Sequence, residues 1–385
     1  MAAGRARGRP VSRPLRIVGC MSGTSCDGVD AVLVEVCERA GAPLDTEARV
    51  IGGASVELGG LGERLLAFSR GGALAAGEIA ELRDRLSDAH VRAIREVGGG
   101  CDVVAAHGQT VFHGRATPDA RGGRTWQLFE PARVARAIGV PVLADLRSGD
   151  VAAGGQGAPI TPIADRVLFG SHAPCAVVNL GGFCNATLLG GDGSVAGFDV
   201  CPCNQLLDAG ARRWLGAKFD TGGAVAGEGR ADAGESAGLR GAWANAAGRS
   251  LGSGDERLDV LTRLESMGVG DRLATLCDAI GRAIGERVGG VPVFVAGGGA
   301  RNAALVRAIE GRCAGAVSST AVVGVDPVWR EGACMAVLGG LTLRGEAATL
   351  AGVTGCAAPA PIAGSWTLPP GGGWRVVRAG GDDVG

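Results

Sequence analysis

Tyrosine is absent from this chain of 385 residues, and lysine occurs once, at Lys218. Aromatic residues make up only 4%. The lack of lysine excludes a Walker-type phosphate loop, which needs Gly-Lys followed by Ser or Thr. A nucleotide handled by this chain must be held by backbone amides and a metal ion. Few aromatics also argue against base-stacking platforms. A net charge of −1 and a pI near 6.5 argue against a nucleic-acid footprint. No apolar run reaches the length of a membrane span, and no signal peptide is expected at the start of the chain. His90, His107, His113 and His172 do not cluster in sequence, and only Cys201 and Cys203 form a close cysteine pair. No second pair lies at zinc-finger spacing, so no structural zinc site is expected. Cys20, Cys175, Cys277 and Cys334 fall in apolar segments, where cysteine behaves as a small hydrophobe. The scattered cysteines read as free thiols in a reducing cytoplasm.

What is present is glycine, 70 residues of it, within a chain that is 46% apolar. The length suits two domains. Gly19 to Asp30, GCMSGTSCDGVD, joins an apolar strand (16–21) to a second one (29–36). Gly23 and Gly28 let backbone N–H groups approach an anion, and successive N–H groups in a tight turn form an anion-binding concavity. Asp27 beside it suits Mg2+ carried on phosphates. Ser, Gly, Thr and Asp are also ordinary turn residues, so the loop alone reads more readily as a hairpin turn.

Residues 1–14 carry four arginines and no acid, which reads as a loose arm. Ile79, Leu82, Leu86, His90, Ile94 and Val97 recur at helical spacing and place His90 in a core. Strands at 101–106 and 140–144 end at His107-Gly108-Gln109-Thr110 and at Asp145-Leu146-Arg147. Ligands of open α/β sheets lie beyond such carboxyl ends. The Gly- and Pro-rich stretch at 148–173 marks a change of domain. The opening theme then restarts: a strand (175–180), a turn at Gly181-Gly182, a returning strand (185–189), and a strand (194–198) delivering Asp199. This reads as an internal duplication by pattern. A helix follows, with Asn204 as its expected N-cap. A strand at 291–296 runs into Gly297-Gly298-Gly299-Ala300-Arg301-Asn302 and a helix, which suits a nucleotide or a plain connection equally. The last 30 or so residues are expected to be irregular.

These residues in this order resemble the anhydro-N-acetylmuramic acid kinases, a branch of the actin-like sugar kinase superfamily. The match carries MSGTSCDGVD at 21–30, HGQTVFH at 107–113, DLRSGDVAAGGQGAPITP at 145–162 and VNLGGFCN at 178–185. It continues with GFD at 197–199, P-x-N at 202–204, FDTGGAVAGEG at 219–229, VAGGGARN at 295–302, Glu331 and VTG at 353–355. The resemblance implies an α/β, two-domain actin-like ATPase fold (duplicated ribonuclease H-like) with ATP in the inter-domain cleft. The expected domains are 15–165 and 166–368, with an irregular tail at 369–385.

The implied reaction opens the 1,6-anhydro bridge of anhydro-N-acetylmuramic acid with water. It then phosphorylates O6 from ATP, giving N-acetylmuramic acid 6-phosphate for peptidoglycan recycling. The motif match makes Asp199 the catalytic carboxylate; its other reading is a capping or turn aspartate. The phosphates are expected at Gly23, Thr24, Ser25, Cys26, Asp27, Gly28, Val29 and Asp30 and at Gly181 and Gly182. Asp27 is the expected Mg2+ residue. Gly297, Gly298, Gly299 and Asn302 are expected near the nucleoside. His107, Arg147 and Glu331 are expected to hold the sugar. Arg147 suits the lactyl carboxylate, the alternative being an ion pair with Asp145 or Asp150. The implied partners are the anhydrosugar and ATP, with a homodimer compatible. Val200, Cys201 and Cys203 depart from the family pattern beside Asp199, where a lost glycine would forbid a left-handed backbone or a close approach. Gly332 stands where alanine is usual. These departures keep two rivals open: a kinase of another anhydrosugar such as levoglucosan, and a catalytically silent sugar- or nucleotide-binding homologue.

Overall fold

The computed structural model describes residues 13–114, 123–243, 251, 255 and 257–371. Residues 1–12 of the expected arm and 372–385 of the expected tail lie outside them. The strands are β1 (Leu15–Ser22), β2 (Gly28–Glu38), β3 (Thr46–Glu57), β4 (Val103–Gly114), β5 (Arg124–Leu128), β6 (Val142–Ala144), β7 (Cys175–Leu180), β8 (Phe183–Leu189), β9 (Val195–Pro202), β10 (Val293–Ala296), β11 (Val317–Ser319) and β12 (Ser365–Thr367). The helices are α1 (Gly60–Ser69), α2 (Ala76–Val97), α3 (Pro131–Ile138), α4 (Ser148–Ala152), α5 (Pro162–Phe169), α6 (Asn204–Leu215), α7 (Ala224–Glu228), α8 (Ala233–Trp243), α9 (Val269–Val288), α10 (Ala303–Glu310), α11 (Arg330–Leu343) and α12 (Ala351–Thr354).

Two sheets repeat one topology. In the first, β1, β2 and β3 form an antiparallel meander, and β4 and then β6 add parallel to β1. In the second, β7, β8 and β9 form the meander, and β10 and then β11 add parallel to β7. This is the duplicated ribonuclease H-like arrangement of the actin-like ATPases. β1 and β7 are central strands buried on both faces, which explains their continuous apolar runs. β3 has alternating exposure and a Gly52-Gly53 pair, which hid it from periodicity.

The first sheet packs α1, α2 and α3 on one face and α5 and α11 on the other. The second packs α6 to α10 on its outer face, while Phe169 at the end of α5 enters the core on its inner face. α5 is therefore shared by the two sheets. The last part of the chain returns to the first sheet: α11 packs on β1 and β12 pairs antiparallel with β6. The fit of α11 depends on missing side chains. A Cβ on Gly332 would lie 2.6 Å from Val32, and one on Gly19 would lie 1.9 Å from the Gly332 carbonyl oxygen. Gly332 is thus a packing residue.

His90 is fully buried on α2, as its spacing requires. Nδ1 lies 2.8 Å from the Leu86 carbonyl, so it carries the proton, and Nε2 has no partner. Burial pushes its pKa down to about 4 from 6.5. Below pH 6.5 the unfolded chain therefore binds a proton that the folded one refuses, and His90 loses stability as pH falls. Asp30 and Asp208, both raised to about 6, titrate with the opposite sign in the same range. A difference measurement separates them. His90→Leu is expected to gain about 1.4 kcal/mol relative to wild type for each pH unit between 6.5 and 4. Urea unfolding at pH 7, 6 and 5 checks this; a constant difference refutes it.

Candidate active site between the two sheets

The first hairpin turn runs from Ser22 to Gly28. Ser22 Oγ donates to Gln109 Oε1 at 2.6 Å, tying the turn to β4. The Cys26 amide donates to the Gly23 carbonyl at 3.0 Å, and Cys26 adopts φ 55°. Its side chain, like that of Val29, is buried in the core of the first sheet. These two expected phosphate residues can therefore offer only backbone. Thr24, Ser25 and Asp27 are exposed, and Ser25 Oγ donates to Asp27 Oδ1 at 2.8 Å. Asp30 accepts from Ser55 Oγ, and burial followed by Asp27 pushes its pKa up.

The second hairpin meets the first. A Cβ on Gly182 would lie 2.3 Å from Thr24 Oγ1. The two glycine turns that sequence paired by pattern thus face each other across the seam. Gly181 and Gly182 offer carbonyls to the amides of Asn204, Cys203 and Gln205 at 2.9 to 3.2 Å. Asn204 is not the N-cap expected for α6. Cys203 holds that position, and Asn204 Nδ2 donates to the Leu180 carbonyl at 2.8 Å. Asp208, one turn further on, has its pKa raised by burial and then by Asp27 across the seam.

The glycine run docks on the same hairpin. Gly297 has φ 81°, and a Cβ there would lie 2.7 Å from Asn179 Oδ1; one on Gly299 would lie 2.7 Å from Leu180. Gly298 starts the turn that leads to α10. Asn302 is the N-cap of α10, its Oδ1 accepting from the Leu305 amide at 3.0 Å. Arg301 lies near enough to stabilise the Asp30 carboxylate.

Asp199 sits within β9 rather than beyond it, and is 9% exposed. Pairing of β8 with β9 runs from Asn185–Asp199 to Cys184–Cys201, skipping Val200. This bulge breaks the alternation that would put Asp199 and Cys201 on one face. Val200, Cys201 and Cys203 all point into the core of the second sheet, and none has positive φ. The expected loss of a left-handed backbone therefore does not arise. Asp199 Oδ2 accepts from the Leu251 amide at 2.6 Å.

On the first sheet, pairing of β1 with β4 also skips, between Ala106 and Gln109, with Gly108 at φ 72°. This places His107 under Arg147. Arg147 Nε donates to His107 Nε2 at 2.7 Å, and Nη1 donates to the Gly157 carbonyl at 2.6 Å. His107 Nδ1 lies 2.9 Å from the Gly108 carbonyl and carries the ring proton. Both ring nitrogens are engaged, and burial followed by Arg147 pushes the pKa to about 3. His107 is thus a neutral acceptor that aims Arg147. Neither alternative ion pair forms. Asp145 accepts from the Ser148 amide, and buried Asp150 accepts from the Gly157 amide, Thr349 and Thr354. Asp150 thereby joins the 145–162 motif to the VTG motif.

Glu331 opens α11. Burial pushes its pKa up, against the pull of Arg330 and Arg147 and a hydrogen bond from Asn179 of β7. Burial lowers the Arg147 pKa, against the pull of Asp199, Glu331 and Asp150. Asp199 of the second sheet and Glu331 of the returning helix thus both act electrostatically on Arg147. Among the described residues no three His, Cys, Asp or Glu side chains come together as a direct metal cage. The sequence pattern described as anhydro-N-acetylmuramic acid kinase matches residues 15–367.

The chain belongs to the anhydro-N-acetylmuramic acid kinase family. The anhydro-N-acetylmuramic acid kinase of Acidiphilium cryptum is 38% identical over 370 residues, covering 93% of this chain and 99% of that protein. Those of Xanthomonas axonopodis pv. citri and Gloeobacter violaceus are 35% and 34% identical, each covering 91% of this chain and at least 97% of the relative. The activator of 2-hydroxyisocaproyl-CoA dehydratase from Clostridium difficile, solved with bound ADPNP, aligns at a TM-score of 0.40 and 12% identity over 84% of this chain and 93% of that one. Sequence reasoning gave no role to Asn179, read Asp150 only as an alternative partner of Arg147, and named Gln109 only as part of a strand tip. The signal was available, since each lies inside a matched motif.

In a member of this family, His107→Phe is expected to fill the space but leave Arg147 Nε without its acceptor. The expected result is a sugar KM raised about tenfold with an ATP KM changed less than threefold, in line with one lost charge-assisted hydrogen bond. Steady-state kinetics with each substrate varied check it, and an unchanged sugar KM refutes it.

Proposed function

We propose that this chain opens the 1,6-anhydro bridge of anhydro-N-acetylmuramic acid with water and phosphorylates O6 from ATP, giving N-acetylmuramic acid 6-phosphate and ADP. The observation that carries the reading is that the two glycine hairpins face each other at Thr24 and Gly182, in a molecule where Asp199 and Glu331 both lie near enough to Arg147 to favour its charged form. Asp199 is the base that takes a proton from the water attacking C1. Arg147, held from behind by His107 and Gly157, pairs with the lactyl carboxylate, and Glu331 orients the sugar. The turns at Gly23–Asp30 and Gly181–Gly182 cradle the phosphates, and 297–302 borders the nucleoside. Phosphoryl transfer is mainly positioning and charge stabilisation, which amides supply without a lysine.

Asp27 fits Mg2+: it is exposed on the first turn, and its charge acts on Asp30 in β2 and on Asp208 in α6. Asp27 and Asp208 would reach the ion through water. When bound, the ion neutralises phosphate charge. We place the enzyme in the cytoplasm. All twelve cysteines are free, and among the described residues no helix is long and apolar enough to cross a membrane.

The test is incubation with Mg-ATP and anhydro-N-acetylmuramic acid, followed by mass spectrometry. The expected product is heavier by one water and one phosphoryl group. No such product, with ATP still bound, refutes the reading.

A further inference from the structure

Beneath the site lies an ion pair that no motif announced. Arg330 and Asp165 are both fully buried, with 0% exposure. Arg330 Nε donates to Asp165 Oδ1 at 2.8 Å, and Nη2 donates to Asp165 Oδ2 and to Thr161 Oγ1. Thr187 Oγ1 donates to Asp165 Oδ2 at 2.6 Å, and Cys334 Sγ lies 3.6 Å from Oδ1. The participants come from three parts of the molecule. Thr161 and Asp165 belong to α5 and its N-cap, Thr187 to β8 of the second sheet, and Arg330 and Cys334 to α11 on the first sheet.

Burying two charges is costly, and apolar residues of similar volume commonly serve stability as well. Arg330 Nη1 is also buried without a partner, so this pair is not the most favourable filling of the space. What a bidentate fork provides, and apolar packing does not, is a fixed direction. The residue after Arg330 is Glu331, whose carboxylate is met from the second sheet by Asn179.

We propose that Asp165 and Arg330 are positioning residues that pin the first turn of α11 to α5 and to the second sheet, holding Glu331 in register with Arg147 and Asp199. This rests on the kinase reading above and adds residues to it that touch neither substrate. Small displacements at a reacting centre cost about 10²-fold in rate.

Two variants test it. Asp165→Leu combined with Arg330→Met replaces the pair by apolar side chains, and Arg330→Lys keeps the charge without the fork. In each folded variant, kcat/KM for the sugar is expected to fall about 10²-fold, while the ATP KM changes less than threefold. A merely structural pair would shift the melting temperature and leave the sugar kcat/KM within threefold of wild type; that result in a folded variant overturns the proposal. The wild type in the same assay keeps two failures apart, since absence of wild-type turnover refutes the kinase reading instead. Amide exchange then still decides: residues 331–334 and 179–182 are expected to exchange at least tenfold faster in Arg330→Lys, and unchanged exchange overturns the pin.

Discussion

Asp199→Asn is expected to lower kcat by about 10³- to 10⁴-fold, the upper range of a positioned general base. Nucleotide affinity should stay within about threefold, because the phosphate cradle proposed above is backbone. The substitution is nearly isosteric. The asparagine carbonyl can still accept the Leu251 amide that Asp199 Oδ2 accepts at 2.6 Å. A loss of activity therefore reports the missing base rather than a broken loop. Asp199→Ala leaves that amide without its acceptor and is expected to add a stability loss of about 1–3 kcal/mol. Single-turnover product formation and calorimetric ATP binding check the pair. An Asp199→Asn protein that keeps a tenth of wild-type kcat would show that another group takes the proton.

Gly19→Ala is expected to destabilise the protein by about 3 kcal/mol, at the upper end of overpacking costs. The new Cβ would lie 1.9 Å from the Gly332 carbonyl oxygen and 2.4 Å from the Ala336 amide nitrogen. Both atoms are backbone of α11, so no side chain can swing aside. The helix must lift from β1, carrying Glu331 with it, and the sugar kcat/KM should fall as well. At Gly52 of β3 a Cβ meets nothing within 4 Å, and that residue is not among those of positive φ. Gly52→Ala is therefore the control, expected within about 0.5 kcal/mol of wild type. Thermal and urea unfolding of both variants provide the check. Equal stability of the two would show that α11 is not seated as described.

Much of the frame was legible from residue order. The central strands β1 and β7 are apolar runs closed by glycine turns, and such runs have few alternatives to a buried strand. α2 announced itself by spacing, His90 included. β3 escaped because half its residues face outward and Gly52-Gly53 interrupts the alternation. β5, β11 and β12 are too short or too exposed to show a period. The stretch at 148–173 read as glycine-rich punctuation, yet it contains α5, whose Asp165 and Arg166 masked a helix buried by both sheets.

The site was legible as a set of residues but not as a set of roles. Asn302 and Asn204 are both asparagines beside helix starts, and only the backbone geometry shows which one caps. His107 reads as a ligand contact by chemistry. Its two ring nitrogens, engaged by Arg147 and Gly108, make it a support. Val200, Cys201 and Cys203 looked like damage beside Asp199, because a lost glycine there would forbid a left-handed backbone or a close approach. The bulge at Val200 sends all three into the core.

By itself the amino-acid sequence determined that no Walker-type lysine loop holds phosphates here. The one lysine, Lys218, does not stand in such a loop, and two glycine turns that can offer backbone amides lie in equivalent places of a repeated pattern. It also determined the family, through motifs spread from end to end. Only the tertiary structure decided that Thr24 meets Gly182, that Arg147 is aimed by His107, and that Arg330 is locked to Asp165. Each of these contacts joins residues far apart in the chain, and no local propensity carries the distance between them. The glycines of the first turn define a surface suited to an anion, and the second turn, folded against it, makes that surface one wall of the proposed phosphate site.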